Sequence, residues 1–435
     1  MFDIPDQGTL DAVNDAEPGD YPRFARVRRH RDPPRVDPAE ATREALADVE
    51  ELASLPDGAS VGITAGSRGI HDMPTVLATV VEELQSQGLE PFVFPAMGSH
   101  GGANAEGQQE MLAELGVTEE SMGCEIRSSM DVEVVGEDGK GRPVYAAVDA
   151  LEADAVLLAN RVKLHTDFHG DIESGLCKMA VIGIGKQRGA NAAHIAALDS
   201  SFREVIPERT GILLDEVPIV GGVAVIENAH ERTAEIHGVD ADDLLEREPE
   251  LLERSAELFP ELPVEDLDLL VLDEVGKNIS GTGMDTNVVG RMLLQNEPEF
   301  DSPEITRIYV RDLTPETHGN ANGIGLADFA HRRVAEKIDT TTTYVNSITG
   351  GQPERGRLPV IAPSDYTALT LTYSTAGVTD PEDLRIVRIK NTLEPDDLLV
   401  SEPVAEELRG REGFEVGDPE PLALQDDEFD PVDWE

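Results

Sequence analysis

Residues 60–115 decide the fold, and they read SVGITAGSRGIHDMPTVLATVVEELQSQGLEPFVFPAMGSHGGANAEGQQEMLAEL. The apolar run at 60–66 predicts a buried strand, and a helix pattern follows from Asp72. A second apolar run at 90–98 and a glycine-rich turn then lead into a helix over 104–115. Because strand and helix alternate, we predict an α/β fold with mainly parallel sheets flanked by helices.

The rest of the chain continues this alternation. Residues 153–166 read as a strand that opens into a loop, and residues 266–283 begin a second α/β unit. An acidic, proline-bounded helix pattern near 250–263 indicates a domain boundary between them. We therefore predict two α/β domains with the active site in the cleft between them. The predicted segments are an extended N-terminal arm at 1–40, a catalytic α/β domain at 41–262, a second α/β domain at 263–416 and an acidic, disordered tail at 417–435.

The composition is strongly acidic. Asp and Glu total 87 against 35 Lys and Arg, which gives a formal net charge of −52. Such a charge repels the phosphate backbone and excludes nucleic acid as a partner. The strand and helix patterns argue against disorder as its cause. We interpret it as a halophile-type surface, on which high salt screens the self-repulsion.

Three further features predict a cytoplasmic location. The first residues lack the basic and apolar regions of a signal peptide. No apolar run reaches the ~18 residues that a membrane-spanning helix needs, so no membrane partner is expected. Two cysteines, Cys124 and Cys177, do not make a disulfide framework.

Reactive side chains follow the ends of the predicted strands. Arg68, His100 and His165 each follow a strand of the first domain, and Lys277 follows the first strand of the second. Open α/β sheets bind ligands beyond the carboxyl ends of their strands. These four residues are therefore candidates for a functional site.

Each candidate also has a simpler explanation. Arg68 could pair with surface carboxylates, and a single loop histidine is usually an exposed residue. His165 and His169 could bind a metal from one helix, but the preceding strand and a following glycine argue against a helix there. The GIGKQRG stretch at 183–189, which contains Lys186, resembles a phosphate loop without the Walker or Rossmann spacing. Tight helix–strand packing is the simpler explanation of its glycines.

The combination of these residues resembles the lactate racemase family, most specifically over 95–195. The matching stretches are GSHGGANAEGQQEMLAELG at 98–116 and KLHTDFHGDIESGLCKMAVIGIGKQRGANAAH at 163–194. His100 matches a family histidine that follows a strand, and His165 matches a histidine upstream of a lysine, here Lys178. The family's third histidine lies sixteen residues after that lysine, as His194 does here (194 − 178 = 16).

The resemblance implies a racemase or epimerase of a 2-hydroxy acid that works by hydride abstraction and return. In this family the cofactor is a nickel pincer, a pyridinium-3,5-dithiocarboxylic acid-type mononucleotide. The resemblance implies its covalent attachment to Lys178 and a nickel–His194 bond. His100 and His165 would be the paired acid and base.

The resemblance also implies supporting residues and partners. Arg68 and Lys186 would contact the cofactor, and Arg68 and Lys277 would contact the substrate. Proteins that make the cofactor and insert nickel would be partners beside the small 2-hydroxy acid, and a homo-oligomer is possible. The acidic composition indicates a haloarchaeal-type member of the family.

The sequence departs from the family pattern at several positions. Ala65 stands where members have an acidic residue three positions before the loop arginine, and three extra residues separate His165 from Lys178. Trp434, the one tryptophan, lies in the acidic tail. These departures favour a 2-hydroxy acid other than lactate, or a loss of racemase chemistry.

Two other function classes stay open. A metal-dependent hydrolase or lyase could use His100, His165 and His194 on zinc. A non-catalytic module could bind a nucleotide or another anion through the GIGKQRG stretch.

Overall fold

The computed structural model describes residues 4–67, 69–294 and 297–434. The chain divides into two compact units, which we call the first unit, Pro33–Phe259, and the second unit, Met1–Asp32 with Pro260–Glu435. The boundaries differ from the predicted ones, because the N-terminal segment belongs with the second unit instead of forming an arm of its own. In the described part of the chain, no helix is both long enough and apolar enough to cross a membrane.

Seventeen strands are formed by short, mostly apolar segments of the described chain. They are β1 Phe24–Arg29, β2 Ser60–Ala65, β3 Glu90–Pro95, β4 Val132–Glu137, β5 Pro143–Ala147, β6 Ala155–Arg161, β7 Ile219–Glu227, β8 Thr233–Asp240, β9 Asp266–Leu272, β10 Glu304–Val310, β11 Phe329–His331, β12 Val360–Ala362, β13 Ile386–Ile389, β14 Asp397–Ser401, β15 Phe414–Val416, β16 Leu424–Gln425 and β17 Glu428–Phe429.

Fifteen α-helices connect or flank these strands in the described residues. They are α1 Gln7–Asp11, α2 Pro38–Ala47, α3 Met73–Ser86, α4 Ala105–Glu114, α5 Glu119–Met122, α6 Val148–Leu151, α7 Leu176–Lys178, α8 Lys186–Asp199, α9 Phe202–Glu216, α10 Leu244–Glu257, α11 Thr286–Val289, α12 Arg332–Lys337, α13 Thr340–Thr349, α14 Asp365–Ala376 and α15 Glu402–Leu408.

The first unit contains a five-stranded sheet in the order β3-β2-β6-β7-β8. The first four strands are parallel, and only β8 runs antiparallel to its neighbour. Apolar side chains are buried on both faces of the sheet: Ile63 and Val93 pack into one core, and Phe92 and Phe94 into the other. The predicted α/β class is confirmed, because strands buried on both faces read as continuous apolar runs.

The order of these strands contains a switch point. β3, which follows β2 in the sequence, lies on one side of β2, and β6 lies on the other. The connections therefore leave in opposite directions at the carboxyl ends of β2 and β6 and open a crevice there. The loops that begin at residues 66 and 162 start at this point.

The second unit contains an eight-stranded sheet in the order β12-β11-β10-β9-β13-β14-β1-β15. The five strands from β12 to β13 are parallel, and the remaining three pair antiparallel. Part of the predicted N-terminal arm supplies β1. In its sequence FARVRR, alternate residues Ala25 and Val27 are fully buried, while Phe24, Arg26 and Arg28 are only partly buried.

The C-terminal segment also differs from the predicted disordered tail. It contains the two-stranded β16–β17 hairpin, in which Phe429 is buried. The indole N–H of Trp434 donates to Asp273 over 3.0 Å, and the backbone N–H of Phe429 donates to Asp365 over 2.8 Å. These contacts, made with residues distant in sequence, hold the acidic segment on the second unit.

Candidate functional site

The loop after β6 is closed at its base and held from within. The backbones of Lys163 and Ser174 pair as an antiparallel bridge, so residues 164–173 form a loop whose two ends are held together. Inside it the buried Glu173 carboxylate accepts the backbone N–H of His165 and, over 3.3 Å, that of Gly170. One Glu173 oxygen also lies 3.1 Å from Nδ1 of His169. A single buried carboxylate therefore fixes the backbone on which His165 stands.

The His165 ring has a defined orientation. Its Nδ1 accepts the backbone N–H of Asp167 over 3.0 Å. The ring centroid lies 4.5 Å from that of Phe168, with 30° between the planes. The loop backbone therefore fixes the orientation of the ring through Nδ1.

A long helical segment follows this loop. It begins with α7, continues as a π-helix over Met179–Ile184 and ends as α8. Lys178 closes α7, and His194 lies on the exposed side of α8. π-helical turns inside α-helices are often found at functional sites.

Two phenylalanine rings bring the loop and the helix together. Nζ of Lys178 lies 5.8 Å from the centroid of Phe168. Phe168 packs on Phe202 with 5.3 Å between centroids, and Phe202 meets the His194 ring edge-on at 4.9 Å. His165, Lys178 and His194 therefore lie around one aromatic cluster, which consists of Phe168 and Phe202.

The electrostatics of this cluster favour a neutral His194. Protein packed around the imidazole lowers its pKa, although the residue is exposed on one side, and the positive charge of Lys178 lowers it further. The Asp167 carboxylate acts in the opposite direction. A neutral imidazole has a lone pair available for a metal ion.

His100 stands on the loop after β3. The Ser67 hydroxyl, on the loop after β2, hydrogen bonds with Nδ1 of His100. A Cβ added at Gly98 would lie 2.9 Å from Cβ of Ala190, which is one helical turn before His194 on α8. The loop of His100 therefore touches both the loop after β2 and the helix of His194.

A third contact closes the arrangement. A Cβ added at Gly66 would lie 3.1 Å from Cε of Met179, the residue after Lys178. The amide Nδ2 of Asn160, at the end of β6, donates to the carbonyl of Gly175 over 2.9 Å, just before α7. Loops from the carboxyl ends of β2, β3 and β6 thus converge on one helical segment, as the topology requires.

The other predicted site residues have different surroundings. Arg68 lies outside the described residues. Lys186 is fully buried, and its Nζ donates to the carbonyl of Pro95. Lys277 belongs to the second unit, where Nζ donates to the carbonyl of Gly281 over 2.5 Å.

Two organising carboxylates escaped the sequence-based prediction. Glu173 lies in the predicted stretch but gave no pattern that distinguished it. Glu248 is buried on α10, and its Oε2 accepts the backbone N–H of Cys177 over 2.8 Å, at the start of α7. Burial raises the pKa of Glu248 to about 7, against the backbone N–H bonds that lower it. No local sequence pattern relates Glu248 to a helix so distant in the chain.

The three histidines do not form a compact metal site. Across the described ranges, the one group of three or more ligand side chains with all ligand atoms within 4.8 Å is His331, Asp365 and Glu428, in the second unit. Nδ1 of His331 accepts the backbone N–H of Arg333, and the Asp365 carboxylate pairs with Arg311 at 2.6 Å. Because arginine side chains already pair with both of its carboxylates, we assign this cluster to the ion-pair network of that sheet.

No protein-family model matches the chain, and no curated protein sequence matches it significantly. Among solved structures, it is similar to the lactate racemase apoprotein from Thermoanaerobacterium thermosaccharolyticum, with a TM-score of 0.50 and 13% identity over 87% of this chain and 95% of that one. A Thermotoga maritima protein solved by a structural genomics consortium matches with a TM-score of 0.45 and 14% identity over 65% of this chain and 71% of that one. At this identity the first similarity shows a shared α/β fold.

Proposed function

We propose that this chain is a racemase or epimerase of a 2-hydroxy acid, working with a nickel pincer cofactor held by Lys178 and His194. The observation that carries the proposal is the grouping of Lys178, His194 and His165 around the aromatic cluster. The fold shared with a lactate racemase apoprotein supports it.

The residues present fit a covalently attached metal cofactor. The half-buried Lys178 amine lies beside Phe168, which would shield an attached group from water on one side. The pKa of His194 is lowered by its packing and by Lys178, which favours the neutral ring that binds a metal. Acylation of Lys178 would remove its charge and with it the repulsion between that amine and a nickel cation.

The substrate class follows from the chemistry of the bond to be broken. A 2-hydroxy acid resists loss of its Cα hydrogen as a proton because the neighbouring carboxylate is already negative. When bound, the nickel–pyridinium group would supply an electrophilic carbon that accepts hydride instead. The protein must then remove the proton from the hydroxyl oxygen, hold the planar keto acid while it reorients, and return the proton. Two stereoisomers require two such groups, and histidine suits both.

The hydrogen bonds of the two histidines orient their rings. The backbone N–H of Asp167 donates to Nδ1 of His165, and the Ser67 hydroxyl hydrogen bonds with Nδ1 of His100. A neutral imidazole can accept a proton, and the imidazolium that results can return it. We infer that one of the two histidines begins as the neutral base for one stereoisomer while the other, as an imidazolium, is the acid, and that the roles are exchanged for the other stereoisomer.

The substrate carboxylate needs a cation, and we propose Arg68 for that role on sequence grounds alone. A guanidinium can hold a carboxylate through two parallel hydrogen bonds. Ala65, at the end of β2, replaces an acidic side chain with a methyl group near the same loop. We therefore expect a 2-hydroxy acid that is larger or more polar than lactate.

The test uses protein purified from its native host, which can supply the cofactor. Intact mass and peptide mapping should find a modified Lys178, metal analysis should find nickel, and the protein should interconvert the stereoisomers of a 2-hydroxy acid in a chiral assay. Lys178→Ala should abolish both the modification and the turnover. Lys140→Ala serves as the matched control, because Lys140 makes an exposed ion pair with Asp199.

Two results would overturn the proposal. One is an unmodified Lys178 without nickel in cells that make the cofactor. The other is turnover that survives Lys178→Ala, which would favour a hydrolase or lyase using the same histidines. Protein from a host without the cofactor pathway is unsuitable, because it cannot be loaded.

A further inference from the structure

The loop between β3 and α4 has an unusual backbone. Gly101, Gly102 and Ala103 have positive φ values of 62°, 65° and 54°, so the chain turns sharply just after His100. Several carbonyls before this turn point into the protein instead of pairing in the sheet. Buried carbonyls need donors, and the donors decide how firmly the loop is held.

Gln108 supplies the first set of donors. This α4 residue is fully buried, and its Nε2 donates to the carbonyls of Met97 at 3.0 Å and Gly98 at 3.2 Å. The same nitrogen reaches the carbonyl of His100 at 3.5 Å. One amide therefore binds the backbone on both sides of Ser99.

Lys186 supplies the second set. Its Nζ donates to the carbonyl of Pro95 and lies 3.5 Å from Oε1 of Gln108. The ammonium also lies 5.9 Å from the centroid of Phe94. Lys186 stands midway in sequence between Lys178 and His194, at the junction of the π-helix and α8. It therefore connects the helical segment of those two residues to the loop of His100.

A lysine at position 186 is expected to destabilise the folded protein. The chain contains only seven lysines, and this one is fully buried with a positive φ of 53°. Burial lowers the pKa of Lys186 to about 8, although the nearby Asp149 carboxylate opposes the shift. Replacing a buried ion pair by well-packed apolar side chains is often neutral or stabilising. Lys186 combines a strained backbone with a buried ammonium group that has defined acceptors. This combination indicates a role in positioning.

We propose that Lys186 is a positioning residue that, together with Gln108, fixes the His100 loop against the helical segment carrying Lys178 and His194. This inference rests on the proposed function, because the residue that Lys186 positions is the proposed acid–base residue His100. In this proposal Lys186 does not contact the cofactor directly. The Lys186–Gln108 pair would set the position of His100 and leave His165 to the separate Glu173 support.

The structural test follows the histidine rings of the unloaded protein by NMR with ring-labelled histidine. His100→Gln identifies the His100 signal. Lys186→Met keeps the length of the side chain and removes its donor, so it should shift or broaden the His100 signal and leave those of His165 and His194 in place. Lys140→Met is the matched control and should move none of the three. If Lys186→Met fails to fold, Gln108→Leu decides by the same signals, because it leaves the lysine in place.

The functional test measures the loaded protein. Lys186→Met should lower kcat on the order of 10- to 100-fold with KM within about threefold, since a misplaced acid–base group affects the chemical step more than binding. The Lys186→Met/Gln108→Leu double variant should be no slower than the worse single variant, because both act on one loop.

The two tests fail separately. An unchanged His100 signal in folded Lys186→Met, or equal changes at all three histidines, would overturn the positioning role whatever the protein catalyses. A wild-type protein that binds nickel at Lys178 but turns over no 2-hydroxy acid would instead overturn the proposed function, and the NMR result would still decide the role of Lys186.

Discussion

The carboxyl edges of the two parallel sheets share a topology and differ in their electrostatics. In each sheet a central strand, β2 or β9, has its sequence successor on one side and a later strand, β6 or β13, on the other. Each edge therefore contains a switch point of the kind at which α/β folds bind ligands. At the first unit's edge, Glu173 and Glu248 bind backbone N–H groups beside candidate site residues, although Glu227 also pairs with Arg161 there. At the second unit's edge, Asp273 and Asp365 both pair with arginines.

The first unit's edge uses its carboxylates to shape the backbone. Glu173 accepts N–H groups of the loop that carries His165, and Glu248 accepts the N–H of Cys177, beside Lys178. Each bond fixes the segment next to a candidate site residue. Buried carboxylates therefore hold the backbone segments that carry the candidate site residues of this edge.

The second unit's edge pairs its charges with one another. Asp273 bonds to Arg311 at 2.8 Å and to Arg388 at 2.7 Å, and the fully buried Asp365 bonds to Arg311 at 2.6 Å. The Phe429 ring of the C-terminal segment lies 5.4 Å from the Arg311 guanidinium and 5.2 Å from that of Arg388. These charges are therefore already paired with one another beneath an aromatic ring.

The difference shows what topology can and cannot decide. Strand order indicates both edges as possible binding sites, and what their buried carboxylates bind helps to separate them. Burial alone would raise the pKa of Asp273, yet Arg388 and Arg311 hold it below its usual value. By contrast, burial raises the pKa of Glu248 at the first edge. The proposed catalytic site belongs to the first edge, and we expect the second edge to contribute mainly stability.

The largest effect is expected from breaking the second edge. Asp365→Ala leaves Arg311 with one carboxylate partner fewer and removes the acceptor of the Tyr309 hydroxyl, which donates to Asp365 over 2.7 Å. Removing one partner of a buried ion pair costs about 3–5 kcal/mol of unfolding free energy. Denaturant unfolding at fixed high salt measures it, with the fluorescence of Trp434 reporting on the second unit alone.

The control for this variant is an exposed ion pair of the same unit. Arg357 lies 3.9 Å from Glu354 with 72% of its side chain exposed, so Arg357→Ala should change the unfolding free energy by less than about 0.5 kcal/mol. An Asp365→Ala loss no larger than that of the control would mean that the ion-pair network does not stabilise this edge. The comparison between the edges would then fail.

The local elements near β2 and β3 could be predicted because their signals are local. The strands predicted at 60–66 and 90–98 are Ser60–Ala65 and Glu90–Pro95, and the helix predicted at 104–115 is Ala105–Glu114. β1 was missed because its arginines hide a two-residue apolar alternation. The docked C-terminal segment was missed because its partners lie far away in sequence.

The candidate site was predictable only in part, for the same reason. The sequence nominated Lys178, His194, His100 and His165 one by one. Their convergence depends on Phe202, which lies on the separate helix α9 and packs against both Phe168 and His194. Lys186 was expected to contact a cofactor, but its side chain is buried and donates to the carbonyl of Pro95.

An intermediate effect is expected on the pH dependence of stability, through the buried Glu248 of the first edge. The pKa of Glu248 is raised from 4.5 to about 7 in the folded protein. Between these values the native state keeps a proton that the unfolded state has lost, so stability falls as the pH rises. Glu248→Gln should remove this dependence and gain about 3 kcal/mol relative to wild type between pH 4.5 and pH 8. Hydrogen exchange in peptides covering 176–199, corrected for intrinsic rates, measures the local change.

A matched variant separates burial from charge for this prediction. Glu253→Gln changes an exposed carboxylate on the same helix, α10, and should follow the wild-type pH dependence. If Glu248→Gln also follows wild type, Glu248 ionises like an exposed carboxylate and does not lose its proton near neutral pH.

The smallest effect tests whether the C-terminal segment covers the second edge. Trp434→Phe removes the indole N–H that donates to Asp273 over 3.0 Å and keeps an aromatic ring near Arg388. The loss of one hydrogen bond to a charged group should cost about 1.5–3 kcal/mol. Far-UV circular dichroism during denaturation measures this loss, because the variant has no tryptophan. Asp433→Asn, an exposed neighbour, should cost less than about 0.5 kcal/mol. Equal results for the two variants would mean that the indole does not hold the segment in solution. The second edge would then have to be reconsidered as a binding surface, because its paired charges would lack the aromatic cover in solution.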